Sequence, residues 1–309
     1  MKYLITGAGG FIGGYLTEYL VGKNNTVCTI DVQSSSVISE LNNRIQMVIG
    51  SIIDDELVVG VIKDFKPDII FHLAAQSLPK VSWENPILTM QVNILGSLNI
   101  LEAIRKYKPD TRMIIFGSSS EYTQNHSGEP ISEEDPTEPA SPYAVSKLAI
   151  DRLSYLYSQT YSVDTLSVRP FFVIGPRKEN DVCSDFAKRI VALRYNNKSI
   201  IKVGNLNAVR DFIDVRDAVS AIVRVSEEGN SGESYNICSG KGHALSEILD
   251  VYQLMINKPF NVETDPELFR PLDEKIKIGN PEKILNIGWR QKYTFSDSLE
   301  SIFKYWLNN

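Results

Sequence analysis

The tightest constraint on this chain is a glycine cluster near its amino terminus, Thr6-Gly7-Ala8-Gly9-Gly10-Phe11-Ile12-Gly13. It follows a short apolar run at residues 3–6 and opens a segment of helical period at 12–20. Glycines at 7, 10 and 13 permit a tight turn, close backbone approach to a ligand, and close packing of helix on strand. A helix starting here presents unpaired N–H groups and a partial positive charge, which suit a pyrophosphate. In this strand–turn–helix setting the spacing predicts a dinucleotide site built by Gly7, Gly10, Phe11, Ile12 and Gly13. Asp31 ends the next candidate strand, where a carboxylate can accept hydrogen bonds from the adenosine ribose hydroxyls. The same carboxylate repels a 2′-phosphate, and Asp31-Val32-Gln33 offers no arginine to neutralise one. NAD is favoured over NADP.

The rhythm continues over the first 170 residues. Candidate strands at 3–6, 26–31, 46–49, 68–73, 113–116 and 165–169 alternate with helical stretches at 12–20, 56–63, 87–105 and 143–161. Buried strands separated by helices indicate a parallel sheet covered on both faces. The fold class expected is α/β: a doubly wound parallel sheet (Rossmann) with a smaller, chain-discontinuous α/β substrate domain. At 309 residues the chain has twice the length of a common domain, ~150 residues. The division predicted is 1–169 plus 211–235 for the sheet domain, and 170–210 plus 236–309 for the second. Beyond residue 169, helices are expected at 184–195, 214–227 and 295–306, and strands at 200–203 and 234–238. Residues 125–141 read as a surface loop with Glu133-Glu134-Asp135 solvated, and Trp83, Trp289 and Trp306 read as packing residues.

Composition removes several classes of function. With 32 Lys+Arg against 38 Asp+Glu and no basic tract, neither nucleic acid nor an anionic membrane is expected as main partner. Cys28, Cys183 and Cys238 are scattered and odd in number, which fits a reducing compartment. His72, His126 and His243 share no ligand spacing, so no metal site is expected. The amino terminus shows no apolar signal region, and a soluble cytoplasmic protein is expected.

A second chemical signal lies further along. Gly117-Ser118-Ser119-Ser120-Glu121-Tyr122 follows the fifth strand, and Ser141-Pro142-Tyr143-Ala144-Val145-Ser146-Lys147 opens a helix with Ser141 as N-cap. Tyr143 and Lys147, four apart, share one helical face. A free tyrosine, with pKa ~10, is a poor base at neutral pH. A nearby ammonium and the positive ring of an oxidised nicotinamide stabilise the phenolate. Tyr143 can then pass a proton to or from a substrate hydroxyl while hydride moves, with Ser118 bonded to the same oxygen and Lys147 tuning the phenol.

These motifs stand beside Phe71-His72-Leu73-Ala74-Ala75-Gln76-Ser77, Arg169-Pro170, Ile174-Gly175-Pro176, Val203-Gly204-Asn205-Leu206, Arg210-Asp211-Phe212-Ile213-Asp214-Val215-Arg216-Asp217 and Tyr235-Asn236-Ile237-Cys238-Ser239-Gly240. On them the chain resembles the extended short-chain dehydrogenase/reductase family, the nucleotide-sugar epimerases, dehydratases and reductases, over essentially its whole length. Segments 203–217 and 235–240 look most like the GDP-4-keto-6-deoxy-D-mannose reductases, with the GDP-mannose 4,6-dehydratases close. The resemblance implies that Leu73, Ala74 and Ala75 line the cofactor, with Ser51 and Ile52 also in its site. It implies a nucleoside-diphosphate sugar against Ser77, Ser119, Ser120, Phe172 and Val203, its diphosphate clamped by Arg210 and Arg270. It further implies a homodimer through a four-helix bundle of segments 87–105 and 143–161.

The chain also departs from the family pattern. Ser120 stands where dehydratases carry the glutamate that removes the C5 proton, and a serine hydroxyl is too weak a base for that step. Phe172 replaces an asparagine that contacts the diphosphate, and Ser51 an aspartate that often holds the adenine. The reading is a 4-keto reductase. Its alternatives are an NAD-retaining 4-epimerase or 4,6-dehydratase and, without catalysis, an NAD-binding scaffold. A Tyr143→Phe variant should lose about 10²–10⁴-fold in turnover while still binding dinucleotide. Steady-state kinetics with a fluorescence titration check this, and undiminished turnover would remove Tyr143 from the chemistry.

Overall fold

The computed structural model describes residues 1–123, 128–194, 200–256, 258–269 and 274–309. Its strands are β1 Lys2–Thr6, β2 Thr26–Asp31, β3 Gln46–Ile49, β4 Ile69–His72, β5 Arg112–Phe116, β6 Thr165–Pro170 and β7 Phe172–Ile174, then β8 Ile200–Val203, β9 Val209–Asp214, β10 Ser234–Ile237, β11 Gly242–Ala244, β12 Asn261–Thr264 and β13 Ile276–Lys277. Seven of them form a wholly parallel sheet in the order β10-β6-β5-β4-β1-β2-β3. The doubly wound α/β expectation holds. The strand order reverses between β1 and β4, which opens a crevice beyond their carboxyl ends.

Continuous apolar runs make this sheet a two-faced core. Ile5, Phe71, Ile114 and Leu166 pack with Leu16, Leu20, Ala218 and Ile222 of the helices Phe11–Gly22 and Val215–Glu228 on one face. Leu4, Ile70, Met113 and Ile115 pack with Ile62, Ile104 and Ile150 of the helices Asp55–Phe65, Gly96–Tyr107 and Pro142–Tyr161 on the other. Each of these side chains removes roughly 1.5–3 kcal/mol of apolar surface from water when fully buried.

The segment expected as one helix over 87–105 is built in three parts: Pro86–Met90, a wider π turn at Gln91–Leu95, and Gly96–Tyr107. Buried Asn93 sits in the wide turn. Its Oδ1 accepts from Gln76 N at 2.7 Å, and its Nδ2 donates to Gln76 O at 3.1 Å and Ser146 Oγ at 2.8 Å. By length and composition Pro86–Tyr107 could cross a membrane, with mean hydropathy 1.4. Here Ile100, Leu101 and Ile104 pack it against the sheet.

The second unit centres on β9, which pairs with β7 and β13 in parallel and β11 antiparallel; β8 and β12 form a separate parallel pair. Residues 211–214 thus pair within the smaller sheet, while Ser234–Ile237 pairs with β6 at the edge of the larger one. Helices Val182–Ala192, Leu245–Ile256 and Phe295–Asn308 enclose Phe186, Phe212, Tyr252, Ile302 and Phe303. Tyr195, the expected end of the first of these helices, and His126 lie outside the described residues.

Two expectations are corrected. Trp83 is 64% exposed, on the outer face of the short helix Pro79–Glu84, whereas Trp289 is buried and donates to Ser220 Oγ. Glu133 is not solvated like Glu134 and Asp135. It turns inward and accepts from Asn236 N at 2.7 Å.

At the end of β4, buried His72 lies 2.7 Å through Nδ1 from Thr6 Oγ1 and 2.8 Å through Nε2 from Ser97 Oγ. Ser97 donates its own proton to Asn93 O, so it accepts from His72, which sets the neutral Nε2–H tautomer with Nδ1 accepting from Thr6. Burial, assisted by the Lys147 charge, pulls the imidazole down to about 3. An unfolded histidine protonates near ~6.5, so between the two values the unfolded chain binds the extra proton. The contribution of His72 is therefore complete above that unfolded value and declines as pH falls through the window. Urea unfolding between pH 6.5 and 4.5 should show wild type losing up to about 1.4 kcal/mol per pH unit more than His72→Gln. Parallel pH dependences would show that His72 is not held neutral.

Candidate active site

The crevice between β1 and β4 is walled by the glycine turn. Gly7 has φ +75°, and a Cβ there would lie 2.6 Å from Ala74 N, while a Cβ on Gly13 would overlap the Gly7 carbonyl. The turn is thus pressed against the chain leaving β4. Gly10 is exposed, with only Gly7 O, at 3.3 Å, near the place a Cβ would take. The helix Phe11–Gly22 starts with no side-chain cap, unlike Pro142–Tyr161, whose first turn bonds to Ser141. An open glycine cradle under uncapped N–H groups fits a dinucleotide pyrophosphate. Phe11 and Ile12 contribute backbone here, since the Phe11 ring packs edge-on against Tyr15 and Ile12 lies against the core.

Asp31 sits where the ribose carboxylate is expected, its Oδ2 accepting from Gly9 N at 2.8 Å. Ser51 Oγ accepts from Ile53 N, and Asn99 Nδ2 ties down the carbonyls of Ile52 and Ile53 at 3.0 and 2.9 Å. The Ile52 side chain is buried in the core. Leu73, Ala74 and Ala75 are half-buried beyond β4, with Ala74 N donating to Thr6 Oγ1.

The structure brings Ser118, Tyr143 and Lys147 together. Ser118 caps the turn Ser119–Glu121, and its Oγ accepts from Ser120 N at 3.2 Å and Ser120 Oγ at 2.7 Å. Ser118 also hydrogen-bonds the Tyr143 phenol. Lys147 is buried, 6.0 Å from the centre of the Tyr143 ring, and its Nζ donates to Phe116 O at 2.7 Å. Ser146 links this helix turn to the wide turn, donating to Tyr143 O and accepting from Asn93.

The electrostatics correct the expectation that Lys147 makes the phenol acidic. Burial pushes Tyr143 up to about 12; the Ser118 hydrogen bond opposes this and the Glu121 charge adds to it. Burial likewise pulls Lys147 down to about 8, against the attraction of Glu121. The ammonium is committed to a backbone carbonyl, and the groups that shift the phenol are its burial, Ser118 and Glu121. In the protein's own field the phenol keeps its proton.

Sequence reasoning missed the charge cluster beneath this group. Glu121 Oε1 accepts from Ser118 N at 2.6 Å, and Oε2 lies 3.2 Å from Arg169 Nε. Arg169 also donates to Asp151 Oδ2 at 2.7 Å and the Tyr122 hydroxyl at 2.8 Å. All three ionic side chains are buried. The Arg169-Pro170 motif marked one member, but no local spacing connects positions 121, 151 and 169.

The expected substrate residues are spread more widely. Ser77 is exposed beyond β4, Ser119 is buried, and Ser120 is half-buried beside Ser118. Phe172 and Arg210 form a separate pair on β7 and β9, with the guanidinium 5.4 Å from the ring centre. The Val203 side chain is sealed in the core of the second unit. Arg270 lies outside the described residues.

A family model described as GDP-mannose 4,6 dehydratase matches residues 4–302. The chain belongs to that family. It is 28% identical to GDP-6-deoxy-D-mannose reductase of Pseudomonas aeruginosa, across 99% of this chain and 97% of that one. Its fold is similar to a UDP-glucose 4-epimerase of Thermus thermophilus in complex with NAD, at TM-score 0.89 and 29% identity with 99% of each chain covered. It is also similar to RMD from Pseudomonas aeruginosa complexed with NADPH, at TM-score 0.85 and 27% identity, again with 99% of each chain covered. The chain is therefore a nicotinamide-dependent enzyme that modifies nucleotide sugars, on the extended short-chain dehydrogenase/reductase fold.

Proposed function

We propose that this enzyme reduces the 4-keto group of a nucleoside-diphosphate 4-keto-6-deoxy sugar. The observation that carries the reading is the turn 118–121. Ser120 occupies the place of the dehydratase base, and the adjacent carboxylate, Glu121, is buried against Ser118 N and Arg169. Removal of a C5 proton would lack a base on this turn. The reduced nicotinamide, when bound, supplies hydride to C4. Tyr143, which holds its proton up to about 12, gives that proton to the C4 oxygen, and Ser118 holds the same oxygen by hydrogen bonding. Lys147 supplies positive charge beside the phenolate that remains. Arg210, with Arg270, is assigned to the diphosphate, as fits paired guanidinium donors.

Asp31 supports NADH as the reductant, since its fixed carboxylate repels a 2′-phosphate. The same residue favours a second reading, a 4-epimerase that retains NAD, because such an enzyme recycles its dinucleotide. We further propose a homodimer through segments 87–105 and 143–161, supported by the exposed apolar side chains Trp83, Ile87, Leu95, Val145 and Leu156 along these helices and the adjoining one. Two units, one around each sheet, and residence in a reducing cytoplasm, supported by three buried free thiols, complete the reading.

Purified enzyme given GDP-4-keto-6-deoxy-mannose should oxidise NADH stoichiometrically, faster than NADPH, and Asp31→Ala should narrow that preference by at least about tenfold. Conversion of a UDP-hexose with no net change in nicotinamide absorbance would replace the reductase with the epimerase. Ile87→Glu combined with Leu156→Glu should halve the mass seen by light scattering. A wild-type protein already at monomer mass would dispose of the dimer.

A further inference from the structure

Glu121 follows Ser120 in sequence, yet its side chain runs the other way and is fully buried. One oxygen accepts from the Ser118 N–H and the other lies in an ion pair 3.2 Å from Arg169 Nε without a hydrogen bond to it, an arrangement that suits the ionised form. Other groups crowd the same space. Arg169 comes from β6, and Asp151, Lys147 and Tyr143 from the helix Pro142–Tyr161. Tyr122 comes from the same turn and Glu133 from the loop beyond it. One guanidinium thus serves two carboxylates, and the second positive charge in the group is Lys147, bound to Phe116 O just before the turn.

We propose that Glu121 is a positioning residue of the reaction centre. Its carboxylate anchors Ser118 by the backbone and sets a negative charge beneath Tyr143 and Lys147, which keeps the resting phenol protonated, the state from which a ketone is reduced. This rests on the reductive reading. An epimerase or dehydratase opens by taking a proton from the C4 hydroxyl, which a like charge under the phenol opposes. A ketone reductase must start each turnover with the phenol protonated, which the same charge secures, and Lys147 offsets that charge as the phenolate forms. Burial and the Asp151 charge raise the Glu121 carboxyl, while Arg169, the Ser118 N–H and Lys147 favour its ionised form.

Glu121→Gln keeps an acceptor for Ser118 N–H and removes the charge. With ¹³C-labelled lysine, the Lys147 resonance (assigned by its loss in Lys147→Met) should titrate about one pH unit or more lower in Glu121→Gln than in wild type. The alkaline limb of kcat for ketone reduction should move to lower pH, with KM for the sugar little changed. An unmoved Lys147 midpoint overturns the proposal whatever reaction the enzyme performs. A lowered midpoint in a protein that reduces no keto sugar upholds the charge effect and refutes the reductive reading instead. Glu121→Asp, which retains the charge but falls a methylene short of Ser118, covers a failure of the glutamine variant to fold. It should lose about tenfold in kcat with a near-normal Lys147 midpoint. Undiminished kcat would overturn the anchoring of Ser118.

Discussion

Polar groups brought to the carboxyl edge of a buried parallel sheet lose their water, and each must then find a partner within the protein. That constraint organises this molecule. Thr6, His72, Ser97, Asn93 and Ser146 form one continuous chain of hydrogen bonds from the end of β1 to the helix that carries Tyr143 and Lys147. Glu121, Arg169 and Asp151 form a second set under the neighbouring strands. The reactive side chains are held between the two, so their positions follow from the satisfaction of groups that never meet a substrate.

Backbone crowding does comparable work on the other wall of the crevice. The turn at Gly7 lies so close to Ala74 and Gly13 so close to Gly7 that side chains there would collide with main chain, not with anything that can swing aside. The helix above is left uncapped at its first turn. One wall therefore offers donors without side chains, and the facing group offers side chains without freedom. A dinucleotide between them would bring a phosphate to the first and a nicotinamide to the second.

The parallel sheet was legible because its strands are short apolar runs with glycine or polar breaks, and β2, β3 and β8 match their expected bounds. The glycine turn, Asp31 and the Tyr143–Lys147 spacing were legible for the same reason: each depends on near neighbours in sequence. What escaped depends on distant ones. β9 carries the adjacent charges Arg210-Asp211 and ends in Asp214, and β12 is exposed throughout, so neither reads as a buried strand. The state of Tyr143 could not be read from Lys147 four residues away, because burial, Ser118 and Glu121 set it. Trp83 misled because size and apolarity were taken for interior placement.

The wide turn at Gln91–Leu95 has a geometric consequence for the helix that contains it. An α-helix advances about 100° per residue, so one surplus residue rotates all that precedes it by about that angle against all that follows. Ile87 looks outward while Ile100 and Ile104 look onto the sheet, and the wide turn sets the angle between them. Deleting any one residue of that turn would swing Ile87 and its neighbours through a quarter of a revolution and pull Asn93 from its partners. Length variation of a kind that surface loops absorb is thus forbidden at this point, in the middle of a helix with one buried and one exposed face.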